Sequence, residues 1–177
     1  MSSLIKYISQ LANSLSGWVC WSGLVVFCIG SVFLFKKKGL RFGFKYSMGL
    51  LLLEYVVILL CSTVIFRPTL SVKEYNFIPL NSYIEYQQGR EIMLPESLMN
   101  VLVFIPIGVL LELFFNKWYN IAIIGACISF VIESLQFGFQ RGYCEIDDVI
   151  HNTLGCILGL LIARHFSKCT RVSKYDL

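Results

Sequence analysis

"ESLQFGFQRGYCEIDDVIHNTLG", residues 133–155, is the stretch whose reading decides the fold. It begins inside one apolar run, "IAIIGACISFVI" (121–132), and ends inside another, "CILGLLIARHF" (156–166). Between and within them sit Glu133, Gln136, Arg141, Glu145, Asp147, Asp148 and Asn152. A soluble chain spreads such groups over its surface; here they gather at the border of two oily segments. The rest of the sequence explains the contrast. Of its 177 residues 56% are hydrophobic and 15% are charged, against roughly 25% charged in a globular domain. The mean hydropathy is +0.70. This composition specifies an integral membrane protein.

Working outward, five stretches are long and apolar enough to cross a bilayer: 18–35, 45–66, 97–115, 119–139 and 149–166. A hydrocarbon core of about 30 Å takes about 20 helical residues. Only helices and closed barrels satisfy their own backbone in lipid, and the sequence lacks the short alternating segments of a barrel. The expected fold class is therefore all-α, a polytopic membrane helix bundle of about five transmembrane helices. The first run is too long for a signal peptide and ends in Lys36-Lys37-Lys38 rather than a small-residue cleavage site. Residues 1–17, weakly amphipathic through Leu4, Ile5, Ile8, Leu11 and Leu15, are read as an interfacial segment. Residues 18–66 form two helices with a basic link. The long link 67–96 holds Pro68, Pro79 and Pro95 with Tyr75, Phe77, Tyr83 and Tyr86. It is read as an extracytoplasmic Pro/aromatic loop, either exposed or lying at headgroup level, where aromatic rings are favoured. Residues 97–166 make a three-helix core and 167–177 a tail.

Orientation follows from the basic residues, which collect on the cytoplasmic side. Lys36, Lys37, Lys38, Arg41 and Lys45 fall in the first link, Lys117 in the third, and Arg164, Lys168, Arg171 and Lys174 at the C-terminal end. Five crossings place these ten of the fifteen basic residues on one side, with the N-terminus outside and the C-terminus cytoplasmic. The net charge of +4 is thus mostly a topology signal, and no nucleic-acid partner is expected. Cys20, Cys28, Cys61, Cys127 and Cys156 lie within apolar segments, where packing is the usual role. Cys144 and Cys169 fall on opposite sides. No Cys/His spacing indicates a metal, and no cofactor is expected.

Direction of travel then brings the polar groups to one depth. Helix three runs inward from Asn100, helix four runs outward to Glu133 and Gln136, and helix five starts from Asp147, Asp148 and Asn152. With Arg141 and Glu145 in the link, they form one outer-leaflet cluster. Ser129, Glu133, Gln136 and Gln140 fall on one helical stripe, as do Asp148, Asn152, Gly155 and Gly159. Gly155 and Gly159 also form a GxxxG pair, which lets another helix approach closely. Asn100, Phe104, Gly108 and Glu112 share a face of helix three, where Pro106 is expected to kink the helix. Acids inside a membrane are costly and are functional candidates by default. A structural network, with Arg141 pairing the acids, is the alternative. Glu54 and Glu112, deeper or toward the cytoplasm, are expected to be packed structural groups. His151 and His165 lack ligand partners at recognisable spacing and are taken as incidental.

These residues carry a resemblance to the VanZ-like family of bacterial membrane proteins, linked to resistance against the glycopeptide teicoplanin. The matching pieces are "NFIPL" (76–80), with Pro79, "NVLVFIPIGVLL" (100–111), "ESLQF" (133–137) and "RGYCEIDDVIHNTLGCILG" (141–159). Upstream, residues 1–70 resemble the family only as hydrophobic helices. Glu145 stands where the family more often has Asp. The resemblance implies a bacterial cell-membrane protein that lowers sensitivity to a lipid-tailed glycopeptide without rewriting the cell-wall precursor. Three function classes follow. The first is a non-enzymatic envelope protein whose outer pocket holds a membrane lipid, a lipid-linked envelope molecule or the tail of a lipoglycopeptide antibiotic. The second is a membrane enzyme on a lipid-linked substrate, with Glu133 or Asp148 as general base and Arg141 holding phosphate. The third is a proton-coupled transporter using Glu54, Glu112 and Glu133, disfavoured because the chain shows no repeated halves.

Overall fold

The computed structural model describes residues 17–71, 75–90 and 93–172. The expected interfacial segment 1–17 lies almost wholly outside them, as do residues 173–177 of the tail. Among the described residues five α-helices follow one another: α1 (Gly17–Leu60), α2 (Asn81–Gln87), α3 (Met93–Glu112), α4 (Trp118–Phe139) and α5 (Ile146–Val172). A π-helical turn, Cys61–Ile65, extends α1, and two-residue strands β1 (Tyr75–Asn76) and β2 (Cys144–Glu145) complete the set. The protein is an all-α membrane bundle.

Among the described residues four segments are long and apolar enough to span a membrane: Phe42–Ile65, Met93–Glu112, Trp118–Phe139 and Ile146–Ser167. The remaining expected span, 18–35, is helical too and belongs to α1, which is broken at one residue. Gly39 has φ +75° and ψ 173°, a conformation open to glycine and strained for other residues. The two arms fold into an antiparallel pair there. Ile58 lies against Gly23, Leu50 against Gly30, and Phe35 against Gly43. The basic link expected over 36–44 is thus mostly helix, with the turn compressed into one glycine.

The second arm ends in the π turn because two hydroxyls compete for one carbonyl. Ser62 and Thr63 both donate to Leu59 O, at 2.9 and 2.8 Å. A wide turn of this kind is rare and concentrates at functional sites. Its carbonyls become available to side chains from elsewhere in the bundle.

α3 and α5 form the most extensive interface in the bundle, and small residues explain it. A Cβ on Gly108 would collide with the Cys156 carbonyl, one on Gly155 with Val101 O, and one on Gly159 with Ile105 O. Backbone therefore packs directly on backbone, which is how membrane helices gain contact without a hydrophobic driving force. Phe104, Ile107, Leu111, Ile121, Ile132, Cys156 and Leu160 surround this seam as the core. Outward faces carry exposed apolar side chains such as Ile29, Phe33, Ile123, Phe130, Leu158 and Leu161, as a lipid-facing surface requires. α3 carries Pro106, the expected kink site, inside a single helical element. It also starts four residues earlier than the expected 97. Pro95 falls in its first turn, where backbone donors are unpaired anyway.

At the other end of the chain's excursion, the loop after α1 is pinned to the α4–α5 link. β1 pairs parallel with β2, Tyr75 opposite Cys144 and Asn76 opposite Glu145. Leu70 N also donates to Gln140 O at 2.7 Å. The Pro/aromatic loop is therefore ordered over its described residues and carries α2. Tyr75, Phe77, Ile78, Tyr83 and Tyr86 remain exposed.

Candidate functional site

The ends of four segments meet beneath this loop: the close of α1, the first three turns of α3, the last two turns of α4 and the start of α5. Between them lies a cavity of about 460 Å³, within the size range of small-molecule sites. Tyr55, Ile58, Leu59, Val103, Phe104 and Ile132 give it an apolar wall. Asn100, Glu133, Gln136, Asp148 and Asn152, all expected in the cluster, line it together with Glu145. Tyr55 donates to Val103 O at 2.8 Å and ties the α1 and α3 walls together.

The polar lining is internally bonded on its donor side. Asn100 Nδ2 donates to Asp148 Oδ1 at 2.7 Å, linking α3 to α5. Glu145 N donates to Glu133 Oε2 at 3.2 Å, linking β2 to α4. Asn152 Nδ2 meets Ser129 Oγ at 2.8 Å, and Gln136 Nε2 reaches Thr63 O in the π turn at 3.2 Å. Glu133, Gln136 and Asn152 are 3%, 3% and 4% exposed, so these are interior bonds, where a lost partner is costly. Ser62, Thr63 and Ser97 also line the cavity, but each hydroxyl donates back to its own helix, at Leu59 O or Met93 O.

Two expected members face elsewhere. Arg141 is outside the lining and clamps the end of α1, donating to Ile65 O at 2.8 Å and Arg67 O at 2.5 Å. Carbonyls at a helix end lack intrahelical donors, and a cation suits that negative terminus. Its charge therefore serves the fold rather than pairing with the acids. Asp147 points to the loop: Oδ1 accepts from Leu80 N at 2.5 Å, and Oδ2 from Ser82 N at 2.8 Å and Ser82 Oγ at 2.6 Å. It caps α2 from another helix, an acid at a positive helix start. Leu80, in the left-handed region at φ 62°, shapes that turn after Pro79. His151, taken as incidental from the sequence, has a partner: Nε2 lies 3.3 Å from Tyr83 Oη under α2. Glu112 lies at the opposite end of the bundle, 3.6 Å from Arg164. Glu54 Oε1 is buried without a hydrogen-bond partner.

Two charged lining residues escaped the sequence reading: Arg67 and Glu96. Glu96 stands one turn before Asn100 and so extends the polar stripe of α3. Starting the helix at 97 hid it. Arg67 follows the last residues of the π turn, where nothing in the local pattern assigns it a direction. Among the described residues its guanidinium makes no ion pair within 4 Å. The cavity thus holds one guanidinium against four carboxyls, Glu96, Glu133, Glu145 and Asp148. Glu145, outside the spans, shows the result: burial first, then Glu96, Glu85 and Asp147, push its pKa above the usual carboxylate value, while Arg67 lowers it. Burial, followed by Glu133, Asp148 and Glu145, likewise raises the neighbouring Cys144 thiol. No group of three His, Cys, Asp or Glu side chains among the described residues is arranged to hold a metal ion.

The sequence family described as VanZ/LLP1 matches residues 48–167. That range takes in every lining residue and extends the resemblance upstream from 76 to include Tyr55, Thr63 and Arg67. A relative named Protein VanZ, from Enterococcus faecium, is 34% identical over 87 residues, covering 46% of this chain and 52% of the relative. The alignment thus spans about half the length of that relative. No solved structure matches the chain.

Proposed function

This chain belongs to the VanZ/LLP1 family, and from that premise we propose that it is a multi-pass protein of the bacterial cell membrane whose cavity opens toward the outer leaflet. There it engages an amphiphile: a membrane lipid, a lipid-linked envelope molecule or the tail of a teicoplanin-type lipoglycopeptide. The result is low-level resistance to the tailed drug without any change to the cell-wall precursor. The observation that carries this reading is the composition of the cavity wall. An apolar side from α1 and α3 adjoins a polar cluster from α3, α4 and α5, which matches a tail joined to a head. Each buried CH₂ of a tail stabilises the bound state by about 0.8 kcal/mol, so drugs differing in a tail are discriminated strongly.

An enzyme acting on a lipid-linked substrate is the second reading, with Glu133 or Asp148 as general base. The presence of Arg67 in the lining favours it over a purely structural cluster, and Arg67 replaces Arg141 as the candidate phosphate contact. Expression in a susceptible Gram-positive host tests both. Tolerance to teicoplanin should rise while vancomycin sensitivity stays nearly constant and precursor termini stay unaltered. Equal protection against both drugs contradicts the proposal and points to precursor chemistry.

A further inference from the structure

We propose that the hairpin end of the bundle, opposite the cavity, is a docking surface for anionic phospholipid headgroups. None of its residues lines the cavity. The tip of α1, "KKKGLRFGFK" (36–45), holds five basic residues in ten and no acid, and the chain has no Asp or Glu before Glu54. Sidedness explains where these charges gather but not what balances them. Lys36, Lys37 and Lys45 are exposed, and so is Lys117 in the α3–α4 link. Among the described residues none of the four pairs with a carboxylate within 4 Å. Glu112, the acid closest to Lys117 along the chain, is taken by Arg164. Aromatic rings position the ammonium groups instead. Lys45 Nζ lies 5.5 Å from the Phe114 ring centroid, Lys117 Nζ 5.5 Å from Tyr119 and Lys37 Nζ 5.5 Å from Phe33. A ring face contacts the cation without supplying a carboxylate, so these ammonium groups keep N–H donors for an anion.

Depth identifies the anion. Lys45 lies inside the apolar span Phe42–Ile65, three residues from its start, which is about 4.5 Å along a helix axis. Its stem lies along apolar surface and its charge snorkels to headgroup level, where lipid phosphates are the anions at hand. Between the charges stand apolar side chains. Leu40 is 84% exposed, and Phe42 and Trp118 are exposed as well. A surface for a soluble polyanion has no use for them, whereas acyl chains do. Each basic residue beside an anionic leaflet strengthens attachment about fivefold. Several acting together therefore separate a lipid of net negative charge from a zwitterionic one.

The test uses the full chain in non-ionic detergent with dioleoyl phosphatidylglycerol and dioleoyl phosphatidylcholine, which share their tails, and reads occupancy by native mass spectrometry. Phosphatidylglycerol should bind about tenfold or more tightly. Replacing Lys36, Lys37 and Lys45 together by Gln should erase that preference, and replacing the same three by Arg should keep it. Arg67→Gln, which changes the cavity alone, should leave it intact. If the Gln variant fails to accumulate, salt on the unmodified chain gives the answer. Raising ammonium acetate from about 50 to about 500 mM shortens the screening length to a few ångströms and should remove most of the preference. Equal binding of the two lipids, a preference that survives the Gln variant or the salt, or one lost in Arg67→Gln overturns the assignment. Inorganic polyphosphate that displaces the lipid at equal phosphate concentration assigns the surface to a soluble polyanion and overturns it as well.

Discussion

The two ends of the α3–α5 pair are built on opposite principles. Away from the loop, Gly108, Gly155 and Gly159 let the backbones touch, and Ile107, Leu111 and Leu160 close around them. Toward the loop end, Asn100 and Asp148 hold the same two helices together through side chains, with a cavity alongside. One end is sealed by removing side chains and the other is organised by bonding them. The comparison teaches where the chain spends its rigidity: a tight seam fixes the helices so that a polar cavity, intrinsically unfavourable in lipid, keeps its shape.

The largest expected effect comes from breaking the sealed end. Gly155→Leu puts a side chain into Val101 O and Phe104, and overpacking of a seam that cannot relax belongs to the class of changes costing about 4 kcal/mol or more. The expected outcome is near-complete loss of protein from membranes, measured by immunoblot. Normal abundance would show that the seam is not rigid.

Which end faces out is an all-or-none question. With the native cysteines replaced, Gln88→Cys in the loop should react with a membrane-impermeant thiol reagent in intact cells. Lys117→Cys, between α3 and α4, should react only after permeabilisation. The reverse pattern would place the cavity on the cytoplasmic side.

A smaller effect is expected at the cap. Asp147→Ala removes the acceptor for two backbone N–H groups and the Ser82 hydroxyl. Loss of a cap costs about 1–2 kcal/mol, and here the cost falls on α2 rather than on the bundle. Hydrogen exchange across 75–90 should speed up while exchange in α3 and α5 stays unchanged. Uniform acceleration would mean that the cap supports the cavity itself.

The sequence made the depth of the polar groups legible, because helix direction alternates and each polar residue sits a countable distance from a helix end. That is why Asn100, Glu133, Gln136, Asp148 and Asn152 come together as expected. Direction around the axis was harder. Asp147 and Asp148 are consecutive, so they point about 100° apart on a helix, and a single cavity can take only one of them. Arg141 lies in a link, where periodicity gives no direction at all. The unsatisfied carbonyls at the end of α1 claimed it instead. Arg67 and Glu96 were missed at the borders of apolar segments. A polar residue there reads equally well as the end of a span or as part of a site. The break at Gly39 was hidden because a basic stretch that is still helical looks like a loop when judged by hydropathy.

The central claim is that the polar cavity is a functional unit rather than glue for the bundle, and two substitutions test it most directly. Glu133→Gln and Asp148→Asn keep size and leave an acceptor oxygen for the Glu145 N–H and the Asn100 amide. Each variant should reach the membrane at wild-type abundance and lose the teicoplanin tolerance conferred by the wild-type chain in the same host. Wild-type tolerance at wild-type abundance for both variants would contradict the account.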